Sequence, residues 1–131
     1  MITRRHLACL ALLCSATACD SGVPGVAARP PDRARARALL SATLESWKAG
    51  NSIAYQSEFP GARFVDEDQS AGWKLVDFVV RQKESTLGNT LNIAVDLTLR
   101  LDNKRGKQDA RKTAVYQVAL EPTPSVVRND P

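Results

Sequence analysis

Leu91-Asn92-Ile93-Ala94-Val95-Asp96-Leu97-Thr98-Leu99-Arg100-Leu101-Asp102 sets one apolar residue against one polar or small residue for twelve positions. Side chains of an extended chain point alternately to its two faces, so this spacing predicts a long strand with one face against a core and the other towards water. The same six apolar residues on a helix would be scattered around its circumference. After a polar turn that contains Gly106, Lys112, Ala114, Tyr116, Val118 and Leu120 alternate with Thr113, Val115, Gln117, Ala119 and Glu121, and the two segments are expected to pair as a hairpin. Upstream, Trp73 to Arg81 reads as a third strand, apolar on both sides in its middle. Ala62–Val65 and Ser125–Arg128 read as short edge strands, the second isolated by Pro122 and Pro124.

Ahead of the strands the period changes. Ala36, Leu39, Leu40, Thr43, Leu44 and Trp47 recur at the spacing of one helical face, after Asp32 as an N-cap and before Gly50-Asn51 as a left-handed stop. Arg33, Arg37, Ser41, Glu45 and Lys48 fall on the opposite, solvent side. A second helical turn is expected from Ser52 to Glu58, ended by Phe59-Pro60-Gly61. A helix with one apolar stripe and a sheet with one apolar face must bury those surfaces against each other. The expected fold class is therefore α+β: one long N-terminal helix packed on a curved antiparallel sheet of four to five strands.

The whole chain has 131 residues, 44% hydrophobic and 24% charged, enough for one domain with its own core and too few for two. That domain is expected at 32–131. Residues 1–18 combine a basic start, Arg4-Arg5-His6, with an apolar run from Leu7 to Ala18 that is too short to cross a bilayer, and so read as an export signal. Residues 19–31, rich in Pro, Gly and small side chains, read as a tether. Removing the signal takes away Cys9, Cys14 and His6 and leaves 16 basic against 14 acidic residues. A chain with one cysteine and no histidine lacks the imidazole of Ser-His-Asp and Cys-His mechanisms, the ligand set of structural zinc and the second thiol of a disulfide. No cofactor is called for.

Ala16-Thr17-Ala18-Cys19 resembles the lipobox of bacterial lipoproteins, in which the cysteine is acylated and becomes the new N-terminus. Cys19 is then the lipidation site, the membrane is a partner through the acyl anchor, and the domain faces the periplasm. Ala16 stands where leucine is usual, which leaves plain cleavage after Ala18 as the alternative. Asp20 resembles the residue that retains lipoproteins in the inner membrane of enteric bacteria. The order of elements, with Trp47-Lys48-Ala49-Gly50, Asp66-Glu67-Asp68, Gly72-Trp73-Lys74-Leu75 and Val126-Val127-Arg128, is similar to the cystatin-like and nuclear-transport-factor-2-like superfamily and to short exported bacterial proteins of that type. The resemblance implies a helix wrapped by a curved sheet and carries no chemistry of its own.

Enzymes on that superfold often place an acid and a hydroxyl in a pocket between helix and sheet. Asp77, which interrupts an apolar strand, and Tyr116 are the catalytic candidates, for a small enzyme or small-ligand binder that needs no histidine. The plainer reading puts Asp77 on the solvent face with Arg81. Asp66-Glu67-Asp68 has only the opening acids of a calcium loop and reads as a solvated turn rather than a metal site. Trp73 with Lys74 is the candidate ligand or partner surface. Arg33, Arg35 and Arg37 and the Lys104-Arg105-Gly106-Lys107 turn read as solvated charge, and export argues against nucleic acid as a partner. The polar face of Asn92, Asp96, Thr98 and Arg100 points to a monomer. The expected function is a non-catalytic binding or assembly module of the cell envelope, with an envelope protein as the partner.

Overall fold

The computed structural model describes residues 32–51 and 53–130, so the signal, Cys19 and the tether lie outside the described residues. The described residues form an α+β arrangement: α1 (Arg33–Lys48), a 3-10 turn (Ala54–Ser57), β1 (Arg63–Val65), α2 (Glu67–Ser70), β2 (Lys74–Leu87), β3 (Thr90–Asn103), β4 (Gly106–Ala119) and β5 (Ser125–Arg128). The five strands make one sheet in the order β1-β5-β4-β3-β2.

Both ends of α1 are fixed by the local chemistry of the sequence. The Asp32 carboxylate accepts the Arg35 amide at 3.1 Å. At the other end Asn51 N–H reaches Ser46 C=O and Gly50 N–H reaches Trp47 C=O, the paired bonds of a Schellman stop, with Gly50 at φ +76°. This stop and the Asp32 cap leave α1 at 16 residues, beginning 32 residues into the chain; the expected long N-terminal helix is an ordinary, internal one. Its buried face carries Ala36, Leu39, Leu40, Thr43, Leu44, Ser46 and Trp47. These pack against Leu91, Ile93, Val95, Leu97 and Leu99 of β3 and Ala114, Tyr116 and Val118 of β4.

β3 and β4 pair without a register shift from Thr90↔Ala119 to Asn103↔Gly106. β4 starts six residues before Lys112, because Gly106 to Arg111 pairs with β3 without the apolar alternation that announces a strand. β2 runs past Arg81 to Leu87, since register shifts between Leu75 and Asp77 and between Val80 and Glu84 break the period-two signal. The first shift changes the phase, so that Leu75 and then Phe78 and Val80 turn inward.

The sheet is mixed rather than antiparallel. β5 is antiparallel to β4 but parallel to β1, with Phe64 opposite Val126. Side-chain alternation is the same for both directions, and only the long α2–β4 connection between β1 and β5 permits the parallel pairing. Arg37 docks α1 on the irregular part of β2: its guanidinium donates to Glu84 Oε2 at 2.9 Å and to the carbonyls of Arg81 and Gln82 at 3.0 and 3.1 Å. Arg33 adds a 3.3 Å contact to Glu84. The expected solvent side of α1 is therefore partly a docking side, because the shift at Val80–Glu84 leaves carbonyls that need a donor.

Candidate functional site

Two places gather chemistry-bearing side chains: a corner where α2 meets β4 and β5, and a cleft where the end of α1 meets the start of β2. The corner begins with Asp66. Its backbone is extended, and its carboxylate accepts the amides of Asp68 and Gln69 at 2.8 and 3.0 Å, which caps α2. The other carboxylate oxygen takes the Tyr116 hydroxyl at 2.5 Å. Tyr116 reaches it from the inner face of β4, with Phe64 and Trp47 in a tilted aromatic row behind it.

Arg128 enters from β5, directly opposite Tyr116 in the register. Its side chain is 5% exposed and its guanidinium donates to Asp130 at 2.7 Å, to Asp66 at 3.5 Å and to Asp68 in a short contact. Lys112 closes the group at 2.9 Å from Asp68. Charges removed from water are tolerated only when paired, and here three carboxylates share two cations and a phenol. Asp66-Glu67-Asp68 is thus not a solvated turn: Asp66 and Asp68 are buried and only Glu67 is exposed, because the chain turns its first and third acids towards Arg128.

The electrostatics follow from these contacts. Burial pushes the Asp68 carboxyl up, but the hydrogen bonds and charges of Arg128 and Lys112 outweigh it and hold Asp68 below the ordinary carboxylate range. Burial, and then the hydrogen bond and charge of Asp66, hold the Tyr116 phenol well above its ordinary value. Burial opposes the charge of Arg128, yet its bonds to Asp68 and Asp130 and the charge of Asp66 raise it further. Tyr116 keeps its proton and donates it in a hydrogen bond to Asp66.

Asp77 is elsewhere. Its side chain is 66% exposed, 3.7 Å from Lys48 Nζ, and it accepts the amide of Phe78. The structure does not bring Asp77 and Tyr116 together, since the shift after Leu75 turns Asp77 away from the core that holds Tyr116. Arg81 pairs with Asp96 at 2.8 Å rather than with Asp77. Among the described residues, no group of three or more His, Cys, Asp and Glu side chains is arranged to hold a metal ion.

Trp73 and Lys74 do meet. With Trp47, Gly50, Gln69 and Gly72 they line a cleft of about 420 Å³. Trp47 Nε1 donates to the Trp73 carbonyl at 2.9 Å, tying the end of α1 to the start of β2. Gly72 stands at φ +93°, a conformation that side chains other than glycine rarely adopt, and it swings the chain out of α2 so that Trp73 is half-buried at the rim. Lys74 projects into solvent with Nζ 3.1 Å from Asp102.

The corner is what reading the sequence missed. Its acids Asp66 and Asp68 precede Lys112, Tyr116 and Arg128 by 44 to 62 residues, and the one local signal was Asp66 followed three residues later by Gln69, the signature of a capped helix start. No protein-family model matches the chain, and no curated protein matches it either.

Proposed function

We propose that the protein is an exported, lipid-anchored module of the cell envelope, held at the membrane by Cys19, that binds or assembles with another envelope component and does not catalyse a reaction. One observation carries the non-catalytic part: the space between α1 and the sheet, where a reactive pocket would lie, is occupied by the fully buried side chains of Leu39, Leu40, Leu44, Ile93, Val95, Leu97 and Tyr116. A packed interior leaves recognition to the surface, and the Trp73–Lys74 cleft joins an aromatic face to a solvent-exposed cation there. On this reading the domain is a cystatin-like or nuclear-transport-factor-2-like variant, supported by the helix stripe lying on one face of a bulged sheet. Asp20 favours the inner membrane, and the polar outer sheet face favours a monomer. Among the described residues, no helix is long and apolar enough to cross a membrane.

The test has two readouts. Labelled palmitate enters the wild-type protein and not Cys19→Ser. In a strain that lacks the protein, Lys74→Glu and Trp73→Ala fail to restore the wild-type phenotype, while Asp77→Asn restores it. Restoration by both cleft variants together with failure of Asp77→Asn would replace binding with catalysis.

A further inference from the structure

We propose that the open edge of β4, from Lys107 to Thr113, accepts an extended acidic polypeptide segment as an added strand. The backbone geometry comes first. β5 covers β4 only from Tyr116 to Ala119. One residue further, Val115 still has both backbone groups occupied on that side: its N–H by the Asp130 carboxylate at 2.8 Å and its C=O by the Asn129 amide at 2.8 Å. Strand groups repeat every second residue, so Thr113, Arg111, Asp109 and Lys107 direct their N–H and C=O the same way. Among the described residues no strand lies beside them.

Edge strands are usually blunted by bulges, prolines or a covering element. β2, at the far side of the sheet, has two register shifts, and Arg37 occupies its Arg81 and Gln82 carbonyls. The β3–β4 ladder has no shift along its whole length, and this stretch of β4 contains no proline. It remains a regular template.

Charge selects the occupant. From Arg100 to Lys112 there are six basic residues and two acidic ones. Asp109 is taken by Arg100 and Asp102 by Lys74, while Lys112 is taken by Asp68. Lys104, Arg105, Lys107 and Arg111 have no ion-pair partner among the described residues. Two of them, Lys107 and Arg111, are the residues that also present free backbone groups. A second copy of this edge would bring like charges together and is disfavoured, whereas an acidic strand is matched in both backbone and side chain.

Position argues for a polypeptide over a bilayer. α1 starts beside Glu84 and ends beside Trp73, so the β3–β4 tip leaves the sheet at the end away from Asp32, where the preceding chain joins. Among the described residues the exposed large apolar side chains are Ile53, Val65, Val76, Val79 and Leu87, none of them on this arm to enter lipid or stack on bases.

The experiment is amide hydrogen exchange of the full chain at low salt, with poly-L-glutamate as the probe. Exchange at Lys107, Asp109, Arg111 and Thr113 slows by about tenfold or more, and Lys107→Glu with Arg111→Glu abolishes the protection without changing the circular dichroism spectrum. Binding without protection of these four amides overturns strand addition. Equal protection by anionic vesicles or by a single-stranded oligonucleotide overturns the polypeptide as the occupant.

Discussion

Positive charge on and beside β4 is handled in two opposite ways. Lys112 in the middle of β4 and Arg128 of the neighbouring β5 are drawn into a corner with Asp66, Asp68 and Asp130, where every cation has a carboxylate within 2.9 Å. Lys104 and Arg105 in the β3–β4 turn, and Lys107 and Arg111 along the N-terminal half of β4, stand exposed in water. The residue types are the same, and what differs is desolvation. A buried charge that loses its partner leaves an uncompensated ion in a medium of low polarity, whereas an exposed charge that loses its partner is solvated at once. The corner is thus a structural device, and the arm is free to meet something else.

The contrast is broken most severely by removing Arg128. Arg128→Ala strands Asp66, Asp68 and Asp130 together and is expected to cost about 3 to 5 kcal/mol in urea unfolding. Tyr116→Phe removes the hydroxyl that Asp66 accepts at 2.5 Å and keeps the ring packing, so its cost is about 1 to 3 kcal/mol, read in the same assay. Acid sharpens the picture. The Asp68 carboxyl is held below its ordinary value of 3.8, so its contribution to stability is present above that value and disappears as the pH falls below it. Unfolding free energy measured downward from pH 5 should fall faster for the wild type than for Asp68→Asn. The smallest effect belongs to the arm, where Lys104→Gln, Arg105→Gln, Lys107→Gln and Arg111→Gln are each expected to stay within about 0.5 kcal/mol of the wild type.

How far the sequence carries follows the same division. Elements whose signal is local and periodic are legible: the α1 stripe from Ala36 to Trp47, its stop at Gly50-Asn51, and the inner face of β3 from Leu91 to Leu99. β2 is legible only to Arg81, because two register shifts destroy the alternation that announces a strand. The parallel partner of β1 leaves no trace in three residues of side-chain pattern. Trp73 and Lys74 could be singled out because a strand start after a glycine exposes them. Arg128 could not, since its meaning depends on acids some 60 residues earlier that only the folded sheet brings within reach. Asp77 and Tyr116 were paired by an assumed regular strand, and one extra residue at Val76 separates them.

The claim that the corner charges hold one another, rather than each contributing alone, is tested most directly by a double-mutant cycle on Arg128 and Asp68 in urea unfolding. The account predicts that Arg128→Ala and Asp68→Ala are strongly non-additive, with a coupling of about 1 to 3 kcal/mol, because the Arg128–Asp68 pair is lost in either single change and lost only once in the double change. Additivity within about 0.5 kcal/mol would contradict it and make the corner no different from the arm.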